Sequence, residues 1–245
     1  MRRVLQRQLA FGLLAAVLAV AATVRAQDPP RVEDGFTSLF NGKDLTGWRY
    51  TPTPKESLEG KTITSDGRIE VKDGVILMNE KDNKGKGGIK DLYTVKDFAK
   101  DFILKLEFRA APKADSGVYI RGPQLQVRDF PTVGPYKPKT FKNGDWNELE
   151  IIVRAKVLVT KVNGKTLIDA DAFELTVKDG KQAVKLNGKD VDVTAVQLTY
   201  GPAAECKCNG EVIEKAFPVP AKGGIGLQAE AGKFEFRNVR VKELN

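Results

Sequence analysis

The chain of 245 residues contains no histidine and only two cysteines. Cys206 and Cys208 are one residue apart, so they cannot link distant segments. The sequence favours a local disulfide or a pair of exposed thiols. A metal site at these thiols is not expected, because histidine and a second cysteine pair are both absent.

Long apolar runs are also scarce. The first 26 residues carry Arg2, Arg3 and Arg7, followed by an apolar run from Leu9 to Val20 and small residues before Ala26. This pattern is typical of a secretory signal peptide, and about twelve apolar residues are too few for a spanning helix, although a membrane anchor is the alternative. We expect export to the periplasm or the extracellular space, with no integral membrane segment after cleavage. No cysteine lies near the cleavage point, so a lipoprotein anchor is not expected.

A dense block of basic residues is missing as well. After removal of the signal peptide, 36 basic and 32 acidic residues remain, which gives a net charge of +4. Because lysines alternate with acidic residues along the chain, the pattern indicates a solvated charged surface. It does not support a nucleic-acid partner or a polybasic membrane surface.

A period of two dominates the rest of the chain. Phe102, Leu104, Leu106 and Phe108 alternate with Ile103, Lys105, Glu107 and Arg109, as in a half-buried antiparallel strand. No ten-residue window shows an apolar stripe at helical spacing. The pattern predicts one all-β domain over residues 27–245, a sandwich or barrel. Residues 170–220 are rich in glycine, proline and aspartate, and they are expected to form an inserted hairpin and loop region.

The remaining strand predictions rest on the same alternation and on Asn-Gly pairs that favour hairpin turns. The predicted strands are Leu149–Val153, Val75–Asn79, Gly117–Arg121, Leu125–Arg128, Val157–Val162, Thr166–Asp169, Val184–Leu186, Ile225–Ala229 and Phe234–Lys242, and the turn pairs are Asn163-Gly164 and Asn187-Gly188.

Several segments, taken together and in order, carry a family resemblance. They are Gly35–Trp48, Asp101–Arg109, Asp115–Gly122, Gln124–Asp129, Gly144–Ile151, Gly224–Glu230 and Phe234–Leu244. In combination they resemble the 3-keto-disaccharide hydrolase family of the concanavalin A-like lectin and glucanase superfamily. The resemblance implies a jelly-roll sandwich of two antiparallel sheets with a carbohydrate site on the concave face. It also implies an oligosaccharide or glycoside substrate whose C3 hydroxyl has been oxidised.

The first candidate site follows from one strand. Gln124 and Gln126 lie two residues apart and share a face, where their amides suit a hydroxyl-rich ligand beside Arg121. Asp129 at the strand end is a candidate base. The structural alternative is a polar outer face that ends in a turn aspartate.

A second carboxylate lies on the closing strand, where Gln228 and Glu230 also share a face. If Asp129 and Glu230 approach each other, one is held protonated and the other ionised. A ketone at C3 acidifies the C2 proton, so one carboxylate can remove it and expel the C1 substituent while Arg121 stabilises the enolate oxygen. Glu107 and Asp115 are the alternative carboxylates.

Three classes of function are left open. The first is a glycoside-cleaving hydrolase or lyase, the second a lectin-like binding module and the third a structural protein of the cell envelope. Many members of the resembled family carry Glu at the position of Gln124 and a His beside the closing strand, so this chain could bind sugar without cleaving it. No cofactor is predicted, and a divalent cation held by Asp, Glu and amide oxygens is left open. The sequence says nothing of oligomeric state.

Overall fold

The structure is a computed structural model that describes residues 33–162, 165–166, 173–179, 181–186, 188–192 and 196–245. Within these residues the chain forms strands joined by turns, with one helix of four residues. The elements are β1 Thr37–Ser38, β2 Trp48–Tyr50, β3 Ile69–Lys72, β4 Val75–Met78, β5 Lys90–Thr94, β6 Phe102–Ala110, β7 Asp115–Ile120, β8 Gln124–Arg128, α1 Phe130–Val133, β9 Asn147–Val162, β10 Lys165–Thr166, β11 Phe173–Lys178, β12 Lys181–Leu186, β13 Lys189–Val191, β14 Val196–Cys208, β15 Glu211–Pro218, β16 Ile225–Ala229 and β17 Phe234–Glu243.

Two antiparallel sheets make up the body of the described chain. The larger one has nine strands, ordered β15-β14-β9-β6-β17-β4-β3, with β1 beside β17 and β10 beside β9. The smaller one has five strands, ordered β2-β5-β16-β7-β8. The inward side chains of both sheets form one continuous hydrophobic core. The expected fold, an all-β concanavalin A-like jelly-roll sandwich of two antiparallel sheets, is confirmed.

The alternation along the sequence explains how the core forms. In β6 every second side chain is buried, so Phe102, Leu104, Leu106 and Phe108 all point inward. Phe108 stacks on Phe234 of β17, with ring centroids 5.7 Å apart and planes 9° apart. The apolar side of β6 therefore fixes the pairing of the two central strands of the larger sheet.

The predicted excursion over residues 170–220 is only partly separate from the sandwich. β11, β12 and β13 form their own three-stranded sheet, whereas β14 and β15 belong to the nine-stranded sheet. β14 was not predicted because its Gly-Pro pair and its cysteines look like loop residues. Of the expected turn residues, Asn163, Gly164 and Asn187 lie outside the described residues, as does 167–169 of the predicted strand Thr166–Asp169.

The two cysteines correct another expectation. Cys206 and Cys208 are both free thiols and fully buried, because they occupy alternate positions on the inner side of β14. Burial raises the pKa of Cys208 to about 12 and raises that of Cys206 as well. They form neither a local disulfide nor a pair of exposed thiols.

In the part of the chain that the structure describes, no helix has the length and apolar character needed to cross a membrane. The predicted signal peptide, residues 1–26, lies outside the described residues and stays a prediction.

Candidate functional site

The outward face of the five-stranded sheet carries a continuous set of polar and aromatic side chains, which we call the polar face. Its members come from alternate positions of β2, β5, β7 and β8, and from β16 and the residue after it. Their neighbours in sequence, such as Leu92, Val118 and Leu125, point into the core. The polar face consists of Arg49, Asp91, Tyr93, Asp115, Tyr119, Gln124, Gln126, Arg128, Gln228 and Glu230.

Strand pairing arranges these side chains in rows across the sheet. Tyr93 and Tyr119 lie on either side of Gly226, and one row further Asp91 lies beside Gln228. Successive rows on one face are two residues apart, about 6.8 Å along the strands. Arg49 extends the tyrosine row, while Glu230 lies beyond Gln228 at the other end.

Two glycines make room for this arrangement. A Cβ atom on Gly226 would lie 2.7 Å from Tyr93 Cε1 and 2.9 Å from Tyr119 Cδ2, so both rings lie over the backbone of β16. The ring centroids are 5.0 Å apart. A Cβ atom on Gly117 would lie 2.1 Å from Gln124 Nε2, so the Gln124 side chain crosses this glycine to reach Gln228.

The amides form a directed chain of hydrogen bonds. Gln126 Nε2 donates to Gln124 Oε1 at 3.1 Å, and Gln124 Nε2 donates to Gln228 Oε1. Gln228 Nε2 in turn donates to the Tyr119 hydroxyl at 2.8 Å. The Tyr119 hydroxyl also interacts with the Asp91 carboxyl. The chain of hydrogen bonds therefore runs across the sheet to the Tyr119 hydroxyl, next to one carboxyl group.

Asp91 lies half-buried at the centre of the polar face. Burial raises the pKa of its carboxyl, and the nearby Tyr119 hydroxyl and Gln228 amide partly offset this by favouring the charged form. Burial, together with the nearby Asp91 carboxyl, raises the pKa of Tyr119 to about 12, so its hydroxyl stays protonated at neutral pH. This pairing of a poised carboxyl with a protonated phenol is suited to proton transfer.

Glu230 supplies a second carboxyl group at the same end of the face. Burial raises its pKa, and the charge of Asp115 raises it further, while Arg128 acts in the opposite direction. The backbone carbonyl of Glu230 accepts a hydrogen bond of 2.9 Å from the buried Arg68 side chain. Arg68 also donates to the Gly88 carbonyl at 2.9 Å, which ties the segment before β5 to the end of β16.

The model of a 3-keto-alpha-glucoside-1,2-lyase-like domain matches residues 35–242, which is nearly the whole described chain.

The chain belongs to this family.

Two known proteins are similar to this member of the 3-keto-alpha-glucoside-1,2-lyase-like family. A 3-keto-disaccharide hydrolase from Bacteroides thetaiotaomicron is 25% identical over 269 residues, covering 92% of this chain and 84% of the relative. A Parabacteroides distasonis protein considered to be a glycosyl hydrolase is 21% identical, with a TM-score of 0.51, and the match covers 86% of this chain and 84% of that protein. The second likeness shows the fold alone. The expected resemblance is confirmed.

In this family member the three predicted substrate-binding residues come together. Gln124, Gln126 and Gln228 are consecutive members of the amide chain, although they come from two strands that are not neighbours in the sheet. Glu230 lies on the same face. Of the alternative carboxylates, Asp115 is on the polar face as the ion-pair partner of Arg128, whereas Glu107 lies on the nine-stranded sheet and binds Arg237.

Asp129, predicted as a base, has a different position. It is 8% exposed, and its Oδ2 accepts a hydrogen bond of 2.8 Å from the backbone N–H of Lys113. Because Gln124, Gln126 and Arg128 face outward, the alternation itself turns residue 129 toward the core. Asp129 holds the loop before β7 and precedes α1, so we do not carry its predicted catalytic role further.

Arg121 also lies on the core side. Its backbone has φ 57°, in the left-handed region, which interrupts the alternation of β7. The side chain is 3% exposed, donates to the carbonyls of Lys100 and Pro220, and lies 5.2 Å from the Phe102 ring centroid. It therefore satisfies loop carbonyls at the edge of the sandwich, away from the polar face where an enolate would need it.

Asp91, Tyr93 and Tyr119 are site residues that the sequence patterns did not single out. β5 contains one apolar core residue, Leu92, so the segment gives a weak strand signal. The alternation of Asp91, Leu92 and Tyr93 after a glycine pair is the signal that could have identified it. Among the described residues, no group of three or more Asp, Glu or Cys side chains is close enough to hold a metal ion.

Proposed function

We propose that the chain cleaves 3-keto-glycosides or 3-keto-disaccharides at the polar face, by removal of the C2 proton. The observation that carries this proposal is the half-buried Asp91 carboxyl at the end of the amide chain, with a raised pKa and a tyrosine hydroxyl beside it. Family membership supports a glycosyl hydrolase-like protein that acts on carbohydrate. A carboxylate at Asp91 also removes the need for one at position 124.

The proposed reaction begins at C2 of the oxidised sugar. The Asp91 carboxylate takes the C2 proton, and the electron pair of the C–H bond forms the C2=C3 bond of an enolate. The enolate then collapses, restores the C3 carbonyl and expels the C1 oxygen as a C1=C2 bond forms. Tyr119 gives its proton to the leaving oxygen and recovers one from Asp91, so the C2 proton ends on the leaving group.

Hydrolysis is completed by addition of water. A water molecule adds its oxygen to C1 of the unsaturated 3-keto sugar, and a proton returns to C2. The sum of the two steps is cleavage of the glycosidic bond by water, so lyase and hydrolase outcomes differ only in whether the second step occurs on the protein.

Glu230 takes the role first assigned to Arg121. Because burial and Asp115 both raise the pKa of Glu230, its protonated form is more accessible than that of an ordinary glutamate. A protonated carboxyl can donate a hydrogen bond to the developing enolate oxygen at C3. Asp91, whose pKa is lowered by the neighbouring Tyr119 and Gln228 side chains, is the member of the pair that is better stabilised as an anion.

A lectin-like binding module is the second candidate. It is favoured by the amide chain of Gln124, Gln126 and Gln228, which suits hydroxyl recognition without requiring any proton transfer. The polar face would then bind unoxidised sugars as well as oxidised ones.

Incubation with matched substrates separates the two candidates. We expect release of the C1 substituent from methyl and aryl 3-keto-glucosides, and none from the unoxidised parent glucosides, because only the ketone acidifies the C2 proton. Product release is followed by chromatography, with and without a chelator. Binding of both sugar classes without any release would contradict the enzymatic proposal and favour the lectin-like one.

The pH dependence of kcat/KM is expected to be bell-shaped. Activity falls on the acidic side as Asp91 becomes protonated, at a pH above that of an ordinary aspartate, because its pKa is raised from 3.8. Activity falls on the basic side as Glu230 loses its proton. In Tyr119→Phe the acidic limb moves to higher pH, since the Tyr119 hydroxyl, which lowers the Asp91 pKa, is gone. In Glu230→Gln the basic limb disappears. Unchanged limbs in both variants would count against these assignments.

We further propose that the protein acts after export, in the periplasm or outside the cell. The support is the pattern of residues 1–26, with its basic start, apolar run and small residues before Ala26.

A further inference from the structure

One end of the polar face has a chemical character that the proposed reaction does not use. At the end of the tyrosine row, Arg49 of β2 is exposed, and its guanidinium carbon lies 5.5 Å from the Tyr93 ring centroid. Tyr93 is half-buried and lies between Arg49 and Tyr119 across the sheet. Val95, two residues after Tyr93, exposes 67% of its surface. A cation, an aromatic ring and an exposed aliphatic side chain thus occupy one short stretch.

The polar face carries opposite charges at its two ends. The tyrosine row ends in the cation Arg49, whereas the opposite end carries the Asp115 and Glu230 carboxyls with a single partner, Arg128. A ligand with a negative charge at one end is attracted to the Arg49 end and repelled from the other. The sugar that loses its C2 proton must lie over Asp91, between these two ends.

The position of Tyr119 orients the substrate further. Its hydroxyl lies beside Asp91, and its ring belongs to the tyrosine row. In the proposed orientation, the group that accepts its proton lies toward Tyr93 and Arg49. In the proposed reaction this group is the leaving oxygen at C1. The C3 oxygen then points toward Glu230.

We propose that Arg49, Tyr93 and Val95 form a leaving-group subsite, which binds an apolar ring that carries a negative charge. This inference rests on the proposed function and names the class of its leaving group. The ring packs on Tyr93 and Val95, and the acidic substituent pairs with the guanidinium of Arg49.

Two substrates that differ in the charge of the leaving group test the effect of that charge alone. In 4-(carboxymethyl)phenyl and 4-(carbamoylmethyl)phenyl 3-keto-glucosides, a methylene group insulates the phenol oxygen, so the two leaving groups are similarly acidic. We expect the carboxylate to be preferred in kcat/KM by about two- to fivefold at low salt, as for an exposed ion pair, with the preference lost in 0.5 M salt.

Two variants with the same change of charge provide the control. Arg49→Gln is expected to abolish the preference for the carboxylate, while Arg154→Gln, at an exposed position of β9 in the larger sheet, is expected to keep it. Tyr93→Leu lowers the ratio of kcat/KM for aryl over methyl 3-keto-glucosides by about three- to tenfold, and Tyr93→Phe keeps that ratio because the ring remains.

The outcomes separate the subsite from the reaction. If the wild-type protein cleaves 3-keto-glucosides and Arg49→Gln retains the full preference, the subsite is overturned and the reaction stands. If the wild-type protein cleaves none of them, the proposed function fails. The subsite is then decided by ligand-observed NMR with the two unoxidised aryl glucosides: tighter binding of the carboxylate that is lost in Arg49→Gln supports it, and equal or absent binding overturns it.

Discussion

Asp91→Asn is expected to lower kcat for a 3-keto-glucoside by about 10²- to 10⁴-fold, with a much smaller change in KM. The size follows from the usual contribution of a positioned general base. Asparagine keeps the shape of the side chain and its place beside Tyr119, so binding of the sugar is largely preserved. Single-turnover measurement of leaving-group release at saturating substrate gives the chemical step directly.

The matched control for this variant is Asp73→Asn. Asp73 is an exposed turn residue between β3 and β4 with φ 50°, a conformation that asparagine adopts readily. Near-wild-type kcat is expected there. A kcat for Asp91→Asn within about threefold of the wild-type value would remove Asp91 from the mechanism, because loss of a general base costs far more than that.

Gly226→Ala is expected to lower kcat/KM by about 10²-fold although it adds a single methyl group. The new Cβ atom would lie within 3 Å of ring atoms of both Tyr93 and Tyr119, so at least one ring must move. Movement of Tyr119 takes its hydroxyl away from Asp91 and Gln228, and a displacement of about 1 Å in a reacting geometry costs about this much. Steady-state kinetics measure the loss of activity, and thermal unfolding shows whether the variant is still folded. Together they distinguish displaced site residues from an unfolded protein.

Gly201→Ala is the corresponding control. Gly201 also lies in a strand, β14, and a Cβ atom there would meet nothing within 4 Å. We expect kinetic constants close to wild type. Equal activity of both alanine variants would mean that the tyrosine row tolerates displacement and has no part in the reaction.

The sequence predicts the centre of the sandwich well because alternation there is unambiguous. Phe102 to Phe108 and Phe234 to Lys242 were identified from their period of two, and they are the paired strands β6 and β17. β2, β3 and β5 have three to five residues each, and they escaped prediction because such short segments give few alternations. β4 is as short as β3, but all four of its residues are apolar, which made it recognisable.

Site residues were predicted where side chains of one strand share a face. They were not predicted where the pairing of different strands determines which side chains lie close together. Gln124 with Gln126, and Gln228 with Glu230, follow from the spacing along a single strand. Asp91 lies far from all of them in sequence and joins them only because β5 pairs with β16. Arg121 was placed on the wrong side of the sheet because its own left-handed backbone conformation breaks the alternation. An arginine in the sequence does not indicate such a conformation.

Because its two cysteines are buried, the folded protein is expected not to react with thiol reagents. Cys206 and Cys208 have no exposed surface, and their raised pKa values keep the reactive thiolate scarce. A reagent can reach them only when the core that covers the inner side of β14 opens. The rate of thiol labelling therefore records that opening, and in an oxidising compartment the same burial keeps the chain from cross-linking once it has folded.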